Sequence, residues 1–463
     1  MSHPRFFSTA EALWLRLAPT DALLDRLVLS GPEHVLPSVF DVTGFAAATV
    51  GVTTLAAAEL LAARRGGPVP AVAVDSVHAS ASFLSEALFT PIDWERPAIW
   101  DPIAGDYRAA DRWIRLHTNY ASHRAAVLRV LRVPAERSAV EAAVARCDAA
   151  VLESAVVAAG GCAAVMYRRD EWDVLPQGRA VADAPPIAWE DAGAAPVRLP
   201  ALSTSAADPL AGVRVLDLTR VIAGPECTRF LAAHGAEVLR IDPPGFEEVP
   251  ALLPETTAGK RCASLDLTRP ADRERFEALV RRAHVIVHGF RPGALEGLGL
   301  DEARLRAWNP SVVLATLDAY GWAGPWQQRR GFDSLVQMST GIAAAGAAAR
   351  GVDRPTPLPA QALDHGIGYL LAAGVCRALT RLATMGAASN VRGSLVGAAN
   401  ALMSGPPGDP SAPSPRWPPD IFEACTTSWG SARRVRCPGT IAGEHATWSR
   451  PAGPLGRDEP TFD

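Results

Sequence analysis

Asp364 opens the most suggestive run of the chain. Pro357 to Gly374 reads PLPAQALDHGIGYLLAAG: a proline-containing apolar approach, one carboxylate, then a helix of small residues. An Asp in that place is most simply a helix cap, its oxygens accepting orphan N–H groups of the first turn. The same carboxylate can also act as a nucleophile, since a helix N-terminus favours negative charge and supplies donors to a developing oxyanion. A second candidate is the turn Leu218 to Pro225, LTRVIAGP, which follows an apolar run. A doubly wound sheet places its ligand at such a turn. Gly224 and Pro225 permit close backbone approach and start a helix, which makes Arg220, Val221, Ile222 and Ala223 candidate binding residues. Other chemistries lack their parts. The sequence contains no Walker A loop, no G-x-S-x-G elbow and no complete G-x-G-x-x-G. His284 and His288 are four apart, but Val285, Ile286 and Val287 between them read as strand rather than the helix a zinc pair needs. No metal site is expected.

The elements that must position these residues are legible between Leu210 and Tyr320. Strands are predicted at Val213–Leu218, Glu237–Ile241, Ala263–Leu267, His284–His288 and Ser311–Leu317, and helices at Glu226–His234, Ala271–Ala283 and Asp301–Trp308. This alternation predicts βαβ units and a mostly parallel, doubly wound sheet. Residues 182–209 mix Pro, Ala, Ser and Asp without periodicity and read as a linker. Gly405 to Pro419, GPPGDPSAPSPRWPP, reads as a surface loop. Two further stretches resemble one another. Asp41 and Asp364 are each followed by a Gly, a small-residue helix with a second Gly ten positions on, a basic end and a Val-containing strand. They are read as an internal repeat.

Bulk properties narrow the class. The chain has 463 residues, 48% hydrophobic and 20% charged, with a net charge of −4, which fits a globular protein of two or three domains and gives no basic patch for nucleic acid. The N-terminus lacks the basic-then-apolar pattern of a secretory signal. Phe45 to Ala63 is apolar enough to raise a membrane span, but Thr49, Thr53, Thr54 and Glu59 and many alanines suit a packed core helix better. Seven dispersed cysteines without a C-x-x-C pair read as reduced thiols in a cytoplasmic protein.

Several ordered motifs resemble the class III CoA-transferases, the group of formyl-CoA and carnitine CoA-transferases and α-methylacyl-CoA racemases. They are Leu210–Pro225 with His234–Ile241 (HGAEVLRI), Gly259–Leu267 (GKRCASLDL), Val285–Leu300 (VIVHGFRPGALEGLGL), Asn309-Pro310, Gly321, Gly324-Pro325, Gly331-Phe332-Asp333 and Ser339–Gly341. The resemblance implies a Rossmann-like large domain with a smaller α+β domain, and a homodimer. It implies an acyl-CoA thioester and a small carboxylic acid as substrates, with no permanently bound cofactor. Asp364 falls at the family's catalytic Asp. Lys260, Arg261 and Arg291 fall at positions that meet CoA phosphates, although each also reads as a plain surface charge.

Departures bear on function. Pro243 and Pro244 stand where many relatives carry a phosphate-binding Arg, and no glycine-rich covering loop is evident. Family racemases pair their Asp with a His at the position of Phe332, and Phe cannot move a proton. His365, next in sequence to the Asp, is expected to point elsewhere. The small domain is missing from its usual place. The expected organisation is therefore a rearranged member: 1–99 a partial repeat with Asp41 as a vestigial second Asp, 100–181 the small α+β domain, 182–209 a linker, and 210–463 the large domain. Besides a transferase, an acyl-CoA racemase or isomerase and a non-catalytic CoA-ester-binding subunit remain open on the sequence alone.

Overall fold

The computed structural model describes residues 3–17, 22–197 and 199–463. Short Val-, Leu- and Ile-rich runs form the centre of one seven-stranded sheet, as expected of strands covered on both faces, and the charged residues buried among them, Asp217, Arg240, Asp242 and Lys260, are paired with one another or with neighbours. The strands are β1 (Ile187–Ala194), β2 (Arg214–Leu218), β3 (Glu237–Asp242), β4 (Lys260–Ser264), β5 (Val285–His288), β6 (Val313–Asp318) and β7 (Ala387–Ser394). Their spatial order is β4-β3-β2-β5-β6-β7-β1. All neighbours run parallel except β1, which is antiparallel to β7. The chain leaves β2 towards β3 and β4, then returns to β5 on the opposite flank of β2. Strand order therefore reverses between β2 and β5, and a crevice opens beyond their carboxyl ends.

The α/β, mostly parallel architecture is the one expected, with corrections. Residues 182–209 are not simply a linker: they contain β1, an edge strand of the large sheet, while residue 198 lies outside the described residues. The strand expected at 263–267 lies at Lys260–Ser264, because the tight turn at Gly259, φ +78°, ends directly in the ladder with β3. The expected N-terminal region 1–99 includes residues 1–2 and 18–21, also outside those described.

Four helices matter for the site: α1 (Val42–Arg65), α2 (Ala223–Ala233), α3 (Asp333–Ser339) and α4 (Ala362–Met385). Helix α1 alone among the described residues is long and apolar enough to cross a membrane. It is buried along nearly its whole length against α4. Small residues let the backbones close in: Gly366 leaves room for the ring of Phe45, and Thr53 donates to the Tyr369 carbonyl at 2.8 Å. A hydroxyl that bonds a carbonyl on a neighbouring helix is satisfied without water, so the threonines fit a packed interior.

Three smaller three-stranded sheets accompany this core, one of them pairing Phe422–Thr427, Gly430–Val435 and Thr90–Pro91. Gly105–Arg108, Trp113–Leu116 and Ala163–Val165 form an antiparallel sheet over its own apolar cluster, including Ile103, Tyr107, Ile114 and Val127. It docks on α3, where the Tyr167 N–H reaches the Met338 carbonyl at 3.0 Å. Leu27–Ser30 and Val72–Asp75 pair in parallel, and Thr440–Ile441 adds to them antiparallel. Helix α1, like α4, has 24 residues and is followed by a strand and a helix. The two aspartates do not coincide, however. Asp41 caps α1 by accepting from Gly44 N–H at 2.8 Å, whereas Asp364 lies inside the first turn of α4, three residues after its N-cap Gln361.

Candidate active site

The turn after β2 is held in a strained shape. Val221 has φ +66°, a left-handed conformation that is an outlier for a β-branched residue. What imposes it is Glu248, which accepts from the Val221 N–H at 3.1 Å, from buried Arg240 at 3.0 Å and from the Tyr120 hydroxyl at 2.6 Å. One carboxylate thus clamps the turn to β3 and to the front segment. Helix α2 begins at Ala223, earlier than the expected Glu226, and brings the turn into the crevice.

A cavity of about 360 Å³ occupies that crevice. Its wall holds Arg220, Arg291, Arg329 and Arg330, of which Arg329 is paired with Glu153 at 2.8 Å and Arg220 lies 3.5 Å from Asp242. The Arg220 guanidinium lies 3.9 Å from the ring of Phe246 and 5.2 Å from that of Phe290. Two phenyl faces fix a cation there and leave it little hydrated, which suits a phosphate or an adenine edge. A second cavity of about 240 Å³ lies on the other side of Val221 and Phe332. Asp364, Val221 and Phe332 line both, so Asp364 stands at the junction. Phe332 is stacked on His117 with ring centroids 3.7 Å apart and planes within 3°.

Asp364 is 7% exposed, and burial, then the neighbouring Asp333, hold its carboxyl well above the ordinary range. Asp333 does what a cap would do for α4. Its Oδ2 accepts from Leu363 and Asp364 N–H at 2.8 and 3.0 Å, and its other oxygen accepts from Gln337. Burial also raises Asp333, to about 6. Two adjacent carboxyls in a buried site disfavour double ionisation and share their protons as a pair. The Asp364 oxygens are thereby freed from capping. In its ionised form Asp364 is a poorly solvated carboxylate, a more reactive nucleophile than one in water.

His365 turns away from the junction. Its Nε2 meets Glu86 at 3.0 Å, and its Nδ1 lies 3.7 Å from Glu226. Burial lowers its pKa, but the Glu86 and Glu226 carboxylates more than offset that and bring it up to about 10. Burial raises Glu226, yet Arg229 and His365 pull it down to about 2. Helix α4 is thus anchored to α2 and to the front segment by an ionised cluster beneath Asp364.

The residues expected to bind ligand divide. Arg220, Val221, Ala223 and Arg291 line the arginine-rich cavity, while Ile222 lines the other. Lys260 and Arg261 line neither. Lys260 is fully buried, with its ammonium on Asp217, the Pro225 carbonyl and Thr228 at 3.0, 3.0 and 2.7 Å. Arg261 reaches the opposite way, to Asp463. Successive strand residues face opposite sides, so two neighbours on β4 cannot share one ligand. Sequence reasoning passed over Asp333, although it stands in the quoted Gly331-Phe332-Asp333 motif. It had no signal for Glu248, His117 or Glu86, whose partners are distant in the chain. Asp318, at the carboxyl end of β6, also lines the arginine-rich cavity, and burial raises it to about 7. Among the described residues no cluster of His, Cys, Asp and Glu could hold a metal ion.

Known proteins resemble part of the chain. Residues 210–419 match the model of CoA-transferase family III. A probable fatty acyl-CoA transferase of Mycobacterium tuberculosis is 34% identical over 203 residues, 41% of this chain and 51% of that protein. A formyl-CoA:oxalate CoA-transferase of Rhodopseudomonas palustris is 32% identical over 182 residues, 37% of this chain and 42% of that one. The match thus spans about half or less of these curated relatives. A crystal structure of a hypothetical protein from Mycobacterium tuberculosis aligns with 43% of this chain and 58% of its own at 33% identity, with a TM-score of 0.40. Over residues 210–419, a little under half of its length, the chain is thus similar to CoA-transferase family III.

Proposed function

We propose that the protein moves CoA between an acyl-CoA thioester and a free carboxylic acid, with Asp364 as the covalent carrier. The observation that carries this reading is the place of Asp364, which among the described residues lines both an arginine-lined cavity and a neighbouring one that no Lys or Arg lines. A CoA thioester has that division of character, with phosphates at one end and an acyl group at the other.

In this reading the CoA phosphates meet Arg220 and Arg291, and the thioester carbonyl lies over Asp364. The carboxylate attacks that carbonyl, the C–S bond breaks, and a mixed anhydride and CoA thiolate result. The thiolate then attacks the aspartyl carbonyl, which releases the donor acid and leaves a CoA thioester on Asp364. The acceptor carboxylate reverses both steps and regains Asp364 as carboxylate. No proton is consumed overall. Phe332, stacked on His117, walls the junction and limits access of water to the anhydride. The reading carries with it the homodimer and the cytoplasmic setting that the family resemblance implies, and light scattering in solution tests the first.

The test is intact mass and peptide mapping after incubation with a panel of acyl-CoA thioesters. A CoA thioester or hydroxylamine-trapped adduct on the peptide holding Asp364, absent from Asp364→Asn, is the expected result. Acyl-CoA binding without any adduct or exchange would leave a binding subunit and refute the transferase.

A further inference from the structure

Resting on the transferase reading, we propose that the second cavity is the acyl site, that it selects acyl groups with no charge at the far end, and that Trp100 sets the chain length it accepts. The charge of its lining carries the first part. Among the described residues no Lys or Arg lines this space. Its ionisable groups are Glu86, Asp333, Asp364 and His117. Burial pushes His117 down to about 3, so its ring is neutral and offers no counter-charge. The Glu86 carboxylate is matched from behind by His365, which lies outside the lining. A second carboxylate on the acyl group would therefore enter a partly desolvated space that already holds carboxyls and has no free cation, an arrangement that penalises the charged form. Asn119, Ser334 and Gln361 are the uncharged polar members of the wall, and its remainder, with Leu84, Ile99, Leu252, Leu358 and Pro359, offers apolar surface to a hydrocarbon chain.

Trp100 carries the second part. It lines this cavity and also a further one of about 240 Å³, and the two spaces share Ser334, Leu358, Ala360 and Gln361 as well. The indole meets the His117 ring edge-on at 5.9 Å, and the Arg115 guanidinium lies 5.1 Å from its ring centroid. Arg115, in the farther space, is neutralised by Asp106 at 2.6 Å. Trp100, 39% exposed, therefore stands at the border between the chamber at Asp364 and a second space of similar volume beyond it, and is the largest of the side chains the two share.

Calorimetric titration of the Asp364→Asn protein, in which no acyl transfer follows binding, reads both parts directly. Hexanoyl-CoA is expected to bind at least about tenfold more tightly than adipoyl-CoA, which has the same carbon number and a terminal carboxylate. Adding Trp100→Ala is expected to strengthen decanoyl-CoA binding at least about fivefold, relative to hexanoyl-CoA, by opening the farther space. Ile99→Arg, at a half-buried wall position, is expected to reverse the preference in favour of adipoyl-CoA, and Trp100→Phe, expected to shift decanoyl-CoA binding in the same direction by a smaller factor, serves where Trp100→Ala does not fold. Equal or tighter binding of adipoyl-CoA to the parent, or a chain-length profile unmoved by Trp100→Ala, overturns the assignment. Exchange by the unsubstituted protein is followed separately. Selective binding without exchange refutes the transferase reading alone, and exchange with equal use of both thioesters refutes the acyl-site reading alone.

Discussion

Replacing Lys260 by Met separates two accounts of this residue that differ in sign and assay. Its ammonium is fully buried and has three acceptors, of which Asp217 is charged. Asp217 is buried too, and is bonded by the Thr219 N–H and hydroxyl and by Thr228. Burial lowers Lys260, partly offset by Asp217. Asp217 is held below its usual range because Lys260 and Arg240 outweigh its own burial. Met fills the space of the Lys methylenes, so little cavity forms and the loss is electrostatic. Breaking a buried pair by removing one partner costs about 3–5 kcal/mol, because the remaining charge is left without its match. For a chain of this size that is a fall in Tm on the order of 5 °C. The check is urea or thermal unfolding of Lys260→Met, beside the Lys260→Met/Asp217→Asn double variant. The double variant no longer buries an unmatched carboxylate and should recover part of the loss. Acyl-CoA affinity of the folded single variant should stay within about threefold of the parent, since the ammonium faces no cavity. A variant that melts like the parent and binds acyl-CoA tenfold or more weakly would refute the reasoning and restore Lys260 as a phosphate contact.

Two further outcomes are expected. Burial raises Asp318 to about 7, above the 3.8 of an exposed Asp, so between about pH 4 and 7 the folded chain holds a proton that the unfolded chain has lost. Its contribution to stability therefore declines as pH rises through that window. Asp318→Asn should flatten the decline, with a larger gain over the parent at pH 8 than at pH 5 in urea unfolding; equal gains would refute the assignment. Gly368 lies where α4 crosses the start of α2, and a Cβ there would sit 2.6 Å from the Ala223 carbonyl oxygen. Gly368→Ala should cost about 1–3 kcal/mol by overpacking and weaken acyl-CoA binding as α4 shifts; a variant of unchanged stability would refute the close approach.

Legibility followed local pattern. The cores of β2, β3, β5 and β6 are short Val-, Leu- and Ile-rich runs, broken in β2 and β3 by buried Asp217 and Arg240, and the expected bounds of each lie within about two residues of the observed ones. Helix α2 was read three residues late because AGP punctuates like a turn, although Pro at an early helical position is favourable. Strand β1 was missed because IAWEDAGA has no two-residue alternation: it is an edge strand whose Glu190 and Asp191 face solvent and which follows two prolines. Its place is set by β7, nearly two hundred residues on. Asp364 and the turn from Arg220 to Ala223 were legible as types in a pattern. The stacking of His117 on Phe332 was not, because the two rings come from segments more than two hundred residues apart. Nor was the inward course of Lys260, which depends on which side of β4 meets α2.

The packing of α1 on α4 also sets a timetable for synthesis. Roughly 300 residues separate the end of one helix from the start of the other. At typical elongation rates the ribosome needs about 15–60 s to cover that distance. For that interval the one helix among the described residues that is long and apolar enough to span a membrane has been made and its main partner has not. The nascent protein thus carries a span-like segment that a membrane-targeting factor or a holding chaperone can engage, and folding is completed only when the chain behind it supplies the covering helix.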